Sequence, residues 1–250
     1  MTLTLVNWNV EWATHRAPRG REIQRRIHAH APDIVCLTEA GIGLLDRPGH
    51  AIHSQPDSGY GVRQDRRKVI LWSRQPWESV DCEGTESLPP GRFVSGVTRT
   101  PVGEARVVGV CIPWFGSRTE KKRGPEQKRQ WEDHAQYLAG LSEVLARDSA
   151  TRLIVLGDFN QVIGTGSRAP AELRSALRDA FPPGMSIATA DLTFRGHGSI
   201  DHVAVSEHLA VESVAAISNP RDGKPLSDHF GVAAEISASR SRQPRSDPTG

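Results

Sequence analysis

The chain has 250 residues, 37% hydrophobic and 24% charged, with a formal net charge of +2 at pH 7. That fills one large domain or two small ones, with the balance of a globular protein rather than a disordered one. Three cysteines, an odd number with no pairing pattern and no zinc-ligand spacing, speak against a disulfide scaffold or a structural zinc site and imply reduced thiols in a cytoplasmic protein.

The segment "LTLVNWNV" is rich in β-branched and aromatic residues and predicts a strand. "PRGREIQRRIHAHAPD" comes next, with Ile23, Ile27 and Ala31 four apart, a helical period that ends at Pro32. "DIVCLTEA" predicts a second buried strand. From 50 to 110, short segments ("KVILWS", "GRFVSGVTRT", "ARVVGVCI") are divided by Pro and Gly turn signals, as in an antiparallel meander. A long helix is expected next, with Trp131, Ala135, Leu138, Leu141 or Ser142, and Leu145 as its apolar stripe. "RLIVLGDF" predicts a central strand. "APAELRSALRDAF" predicts a helix with Pro170 in its first turn and Ser167 as its cap. "SIDHVAVS" and "FGVAAEIS" predict the closing strands. The Ser, Arg and Pro-rich tail from Ala238 on is expected to be disordered, outside a catalytic domain of residues 1–237. No apolar run approaches membrane-spanning length, so no membrane partner is expected. Two mostly antiparallel sheets packed face to face with helices outside, a four-layer α/β/β/α sandwich, accommodate these elements.

The residues at the ends of the apolar runs carry the chemistry. After "TLVNW" come Asn9 and Glu11; after "DIVCLT", Glu39; after "LIVLG", Asp158 and Asn160. "SIDH" brings Asp201 and His202, and "LSDH" brings Asp228 and His229. Each segment alone reads as a turn residue satisfying its own backbone. Jointly they are costly: buried carboxylates need partners or a cation. Oxygen donors without thiolates favour Mg²⁺ or Mn²⁺. Such an ion beside an Asp-oriented imidazole suits phosphoester hydrolysis. Asp158 and Asn160, two apart in an extended segment, are expected to point to the same side.

The motifs "NWNVEW", "PDIVCLTEA", "LGDFNQ", "SIDHVAV" and "LSDHFGV", in this order, resemble the endonuclease/exonuclease/phosphatase superfamily, in particular its exonuclease III, apurinic endonuclease and pancreatic-type deoxyribonuclease members. The resemblance runs from about Thr4 to Ile236 and implies the same four-layer fold. It implies Glu39 as the principal metal ligand, with Glu11 as a further ligand and Asp228 as a second metal ligand or a general acid contributor. Glu11 stands where nuclease members usually carry Asp. Asn9 would help to hold metal and phosphate. Asp158 would orient or deprotonate the attacking water, Asn160 would donate to a phosphoryl oxygen or the water, and His229, paired with Asp201, would stabilise the phosphoryl charge. In "CIPWFGSRT", Arg118 matches a basic residue of the family and Trp114 could stack on a base, with loop packing as the alternative. Cys111 stands where relatives often carry Tyr or His.

The leading expectation is a Mg²⁺-dependent phosphodiesterase that hydrolyses nucleic acid, DNA or RNA. The Arg-rich runs "RQDRRK" and "RTEKKRGPEQKR" would be its electrostatic footprint. The alternative is a phosphoesterase for a small phosphorylated metabolite or a lipid head group. A non-catalytic binding module is the third reading, disfavoured because the main motif groups are present. The pattern sets no oligomeric state, and a monomer suffices.

Overall fold

The computed structural model describes residues 1–119, 127–148 and 150–239. Strand β1 (Thr2–Asn9) is followed by helix α1 (Pro18–Ala29) and by β2 (Ile34–Gly41). Next come β3 (His50–His53), β4 (Arg66–Ser73), β5 (Trp77–Asp81), β6 (Phe93–Thr100) and β7 (Gly103–Cys111). Helix α2 (Glu132–Ala146), β8 (Leu153–Asp158), helix α3 (Ala171–Asp179) and the short β9 (Ser186–Ile187) are next in the chain. A hairpin of β10 (Thr193–Phe194) and β11 (His197–Gly198) leads into β12 (Asp201–Val205) and β13 (Leu209–Ile217). A second hairpin, β14 (Pro220–Arg221) and β15 (Lys224–Pro225), precedes β16 (Gly231–Ala238).

Two six-stranded sheets form, in the orders β13-β16-β1-β2-β4-β3 and β5-β6-β7-β8-β12-β9. Each has one parallel pair at its centre, β1 with β2 and β7 with β8, and antiparallel neighbours elsewhere. Period-two alternation decides what each strand buries. In β1, Leu3 and Leu5 join the core between the sheets, with Ile154, Leu156 and Val203 from the second sheet. Val6 and Trp8 face the other way and pack on Ile23 and Ile27 of α1. In β8, Leu153 and Val155 pack under Leu138, Leu141 and Leu145 of α2 and Leu173 and Leu177 of α3. The expected layers α, β, β, α are therefore the observed ones.

Several boundaries differ from expectation. The region 50–110 is not one meander: β3 and β4 complete the first sheet, and only β5 to β7 belong to the second. Helix α1 stops at Ala29, because Ala31 takes a left-handed backbone ahead of Pro32 and is exposed. In α2 the buried stripe is His134, Tyr137, Leu138, Leu141 and Leu145, and Ala135 is exposed. Trp131, at φ 68°, lies outside the helix. Pro170 precedes α3 rather than lying in its first turn, and Ser167 makes no cap bond. β13 is an additional strand that local pattern does not mark: at the sheet edge it is half exposed, without the continuous apolar run of its neighbours. Ala238 ends β16 instead of starting the tail, and residues 240–250 lie outside the described residues. No helix among the described residues is long and apolar enough to cross a membrane.

Candidate active site

The parallel pairs bring four strand ends to one edge of the sandwich. Asn9 ends β1 and Asp158 ends β8, on opposite sheets, and Asn9 Nδ2 donates to Asp158 Oδ2 at 3.0 Å. Asp158 continues the inward face of Ile154 and Leu156, so its carboxylate enters the space between the sheets and is 2% exposed. Gly157 makes this approach feasible. Its φ is +145°, and a Cβ there would lie 1.9 Å from the Val110 carbonyl oxygen of the neighbouring strand. Asn7 Nδ2 ties the sheets together just behind, donating to the carbonyls of Gly157 and His202 at 2.9 and 3.2 Å.

Asp201 begins β12 directly opposite Asp158 in the antiparallel register. Its Oδ2 accepts from His229 Nδ1 at 2.6 Å. His229 reaches the site from the turn before β16, which is fixed from three sides. Ser227 Oγ donates to the Asn9 carbonyl at 2.7 Å, while Trp8 Nε1 and Asn219 Nδ2 donate to the His229 carbonyl at 3.1 and 2.9 Å. Ligand atoms of Asp158, Asp201 and His229 lie within 4.8 Å of one another. Asp228, more exposed, places Oδ1 3.8 Å from His229 Nε2.

Burial pushes the Asp158 carboxyl well above the usual carboxylate range. His229 opposes this and Asp201 adds to it. Burial pulls His229 down, but the charge and hydrogen bond of Asp201, with Asp158 and Asp228, outweigh it and raise its pKa to about 10. The imidazole is thus held as a cation whose Nε2–H is free of Asp201.

Glu39 sits apart from this trio. It takes φ +50° between the paired positions Thr38 with Val69 and Ala40 with Arg67, and its Oε1 lies 2.5 Å from Lys68 Nζ. Glu11, at φ +45°, pairs with Arg19 at 2.8 Å. Asn160, at φ +53°, is a third left-handed motif residue. Such strain in non-glycine residues gathers at functional sites. The expected side-by-side projection of Asp158 and Asn160 is corrected here. β8 ends at Asp158, so period-two alternation no longer governs Asn160. Its backbone N–H donates to Asp158 Oδ1 at 2.9 Å, and Nδ2 donates to the Ile112 carbonyl at 2.8 Å.

Behind the site lie buried polar groups, of which His134 and Gln161 escaped sequence reading, whereas His202 is marked by its motif without a role. His202 bonds Thr189 Oγ1 through Nδ1 and the Gln161 carbonyl through Nε2, each at 2.9 Å, and burial lowers its pKa. His134 donates from Nδ1 to the Pro113 carbonyl at 2.7 Å, its Nε2 meets Gln161 Nε2 at 2.8 Å, and burial lowers its pKa to about 4. Both are neutral struts for the segment after Asp158. Cys111 is buried in register with Asp158, and burial pushes its thiol up to about 12, so it offers neither a phenol's reach nor a thiolate.

The loop carrying Trp114 and Arg118 is anchored by Asp133 of α2. Asp133 accepts from Ser117 Oγ at 2.8 Å, from Thr119 N and Oγ1 at 2.7 and 2.9 Å, and from Lys128 Nζ at 2.7 Å. Phe115 packs against Trp131 with ring centroids 5.9 Å apart, whereas Trp114 is 50% exposed. Asp133→Ala strips one carboxylate from four donors and is expected to cost about 2–4 kcal/mol of folding stability. Urea unfolding checks this, and a loss below about 0.5 kcal/mol would refute the anchoring role.

The donors suit a divalent cation. They are carboxylate oxygens without thiolates, and the buried Asp201 Oδ1 has no hydrogen-bond partner among the described residues.

The two-sheet sandwich thus gathers buried carboxylates and an Asp-paired histidine at converging strand ends. A profile of the Endonuclease/Exonuclease/phosphatase family matches residues 6–229, and the chain belongs to that family. Its members are phosphoric ester hydrolases, commonly metal-dependent. No curated protein matches the sequence significantly. Among solved structures, a 3'-5' exonuclease (NExo) from Neisseria meningitidis is 20% identical with TM-score 0.66, over 94% of this chain and 100% of that one. An endonuclease/exonuclease/phosphatase from Beutenbergia cavernae is 16% identical with TM-score 0.64, over 95% and 72%. D. rerio TDP2, solved with a single-strand DNA product, is 13% identical with TM-score 0.65, over 95% and 99%. These likenesses concern the fold.

Proposed function

We propose that the protein is a Mg²⁺-dependent phosphodiesterase that hydrolyses nucleic acid. The observation that carries this is the meeting of Asn9–Asp158 and Asp201–His229, from both sheets, in one site beside a strongly cationic pocket. Asp158 accepts a proton from the attacking water while Asn9 and the Asn160 N–H hold its two oxygens in place. The water oxygen bonds to phosphorus as the P–O ester bond breaks. His229, oriented by Asp201, donates from Nε2 to the phosphoryl oxygen that gathers charge. Trp114 and Arg118 contribute a stacking surface and a phosphate contact. That Neisseria NExo was solved bound to a product DNA hairpin, and TDP2 with single-strand DNA, supports nucleic acid as substrate.

Glu39 is the proposed principal metal ligand, with Glu11 and Asp228 as further oxygen donors. To hold an ion, Glu39 would have to release Lys68 and Glu11 would have to release Arg19, the cations they pair with in this structure. A bound Mg²⁺ or Mn²⁺ supplies charge to the phosphoryl oxygen and the leaving oxyanion. Chelator is expected to abolish cleavage of DNA and RNA oligonucleotides, with Mg²⁺ or Mn²⁺ restoring it. Glu39→Gln is expected to raise the Mg²⁺ concentration for half-maximal activity about ten- to hundred-fold, with a parallel weakening of Mn²⁺ binding by calorimetry. Full turnover in chelator would refute the metal requirement. Turnover of a small phosphoester with every oligonucleotide inert would replace the nuclease reading.

A further inference from the structure

Beside Glu39 lies a pocket of about 470 Å³. Among the described residues its wall carries five cations, Arg63, Arg66, Lys68, Arg92 and Arg118, against one carboxylate, Glu39, which Lys68 already neutralises. Arg66 has a long contact with Asp65 at 3.7 Å. Arg92 is the unusual member. It is 2% exposed, yet it pairs with no carboxylate among the described residues. Its Nη1 donates to the Cys111 carbonyl at 3.2 Å and to Cys111 Sγ at 3.9 Å, and its Nε has no partner among the described residues. A buried guanidinium without an anion is costly, and an arriving anion offsets that cost. The pocket also has aromatic walls. Lys68 and Arg66 lie 5.0 and 5.6 Å from the Trp12 ring, Arg92 lies 5.8 Å from the Tyr60 ring, and Trp114 lines the mouth.

Resting on the nucleic-acid reading above, we infer that this pocket receives the terminal phosphate of a nucleic-acid chain end, with Arg92 as its deepest contact. A terminal phosphate monoester is a dianion with one substituent, so it can enter a pocket and reach a buried Arg. An internal diester has one charge and must leave by a second strand of backbone. Guanidiniums bind such a group bidentately, and Trp12 and Trp114 offer faces for the terminal base. The pocket therefore selects ends that carry phosphate over ends that carry hydroxyl.

The test is a tryptophan-fluorescence titration of the whole protein, in chelator, with three thymidine trinucleotides: 5'-phosphorylated, 3'-phosphorylated, and hydroxyl at both ends. One phosphorylated end is expected to lower Kd at least about ten-fold relative to the hydroxyl trimer. That advantage is expected to vanish in Arg92→Met and in Arg63→Ala/Arg66→Ala. The double variant alters outward-facing groups and decides the matter if Arg92→Met does not fold. Equal affinity for all three trimers, or an advantage intact in the double variant and in folded Arg92→Met, overturns the inference. The titration reads no turnover, so its failure leaves the hydrolase reading standing. A retained preference without hydrolysis of any oligonucleotide strikes that reading instead.

Discussion

Asp158→Asn is expected to lower kcat for oligonucleotide hydrolysis about 10²- to 10⁴-fold, the usual cost of a positioned general base. The substitution keeps the shape and removes the charge and the proton-accepting capacity. Asn9 Nδ2 and the Asn160 N–H both donate to the carboxylate, so an amide oriented toward one of them turns an NH₂ toward the other. Stability should not suffer in proportion, because burial already disfavours the charged form and lifts its pKa. Rate and thermal midpoint measured on the same preparation separate the two effects. Undiminished cleavage in a folded variant would remove Asp158 from the chemistry. Loss of rate together with loss of fold would make it a structural residue.

The second large effect concerns the Asp201–His229 pair. His229→Ala is expected to cost about 10²- to 10³-fold in kcat, as for removal of one donor to a developing oxyanion. Asp201→Asn makes a finer test, because it acts through the pKa of His229. The carboxylate raises that pKa to about 10, so the imidazolium persists through neutral and mildly alkaline pH. Activity that needs the cation is then lost as pH rises through that value. Without the Asp201 charge the imidazole pKa falls, and the alkaline limb of the rate profile moves toward lower pH. The expected result is a variant less impaired at about pH 6 than at about pH 8.5. An unshifted alkaline limb would mean that His229 is not the group whose protonation the profile reports.

Much of the framework is legible in the chain because strands and amphipathic helices are written in local periodicity. The runs ending at Asn9 and Asp158 are β1 and β8, with those residues at their ends, whereas Glu39 falls inside β2, which runs on to Gly41. The pairing of Asp201 with His229, 28 residues apart, is implied by family resemblance, and the 2.6 Å contact agrees with it. Less legible is any feature that depends on where a strand stops. Asn160 leaves the alternation because β8 ends two residues earlier, and Trp131 leaves the helical stripe because α2 starts only at Glu132. The polar struts His134 and Gln161 carry no sequence signal, and the motif that marks His202 does not say whether it is a bonded core group or a ligand.

By itself, the sequence determined most of the elements and the four layers, because these depend on which side chains recur at a spacing of two or near four; the oxygen and imidazole donors were marked by their place beside apolar runs, and their roles only by family resemblance. Tertiary structure alone decided who meets whom. It split the region 50–110 between two sheets, set Lys68 against Glu39 and Arg19 against Glu11, and buried Arg92 without a carboxylate among the described residues. Those outcomes are set by strand order and register, and by the free energy of burying charge. Contacts across some 150 residues, such as Asn9 with Asp158, fix both.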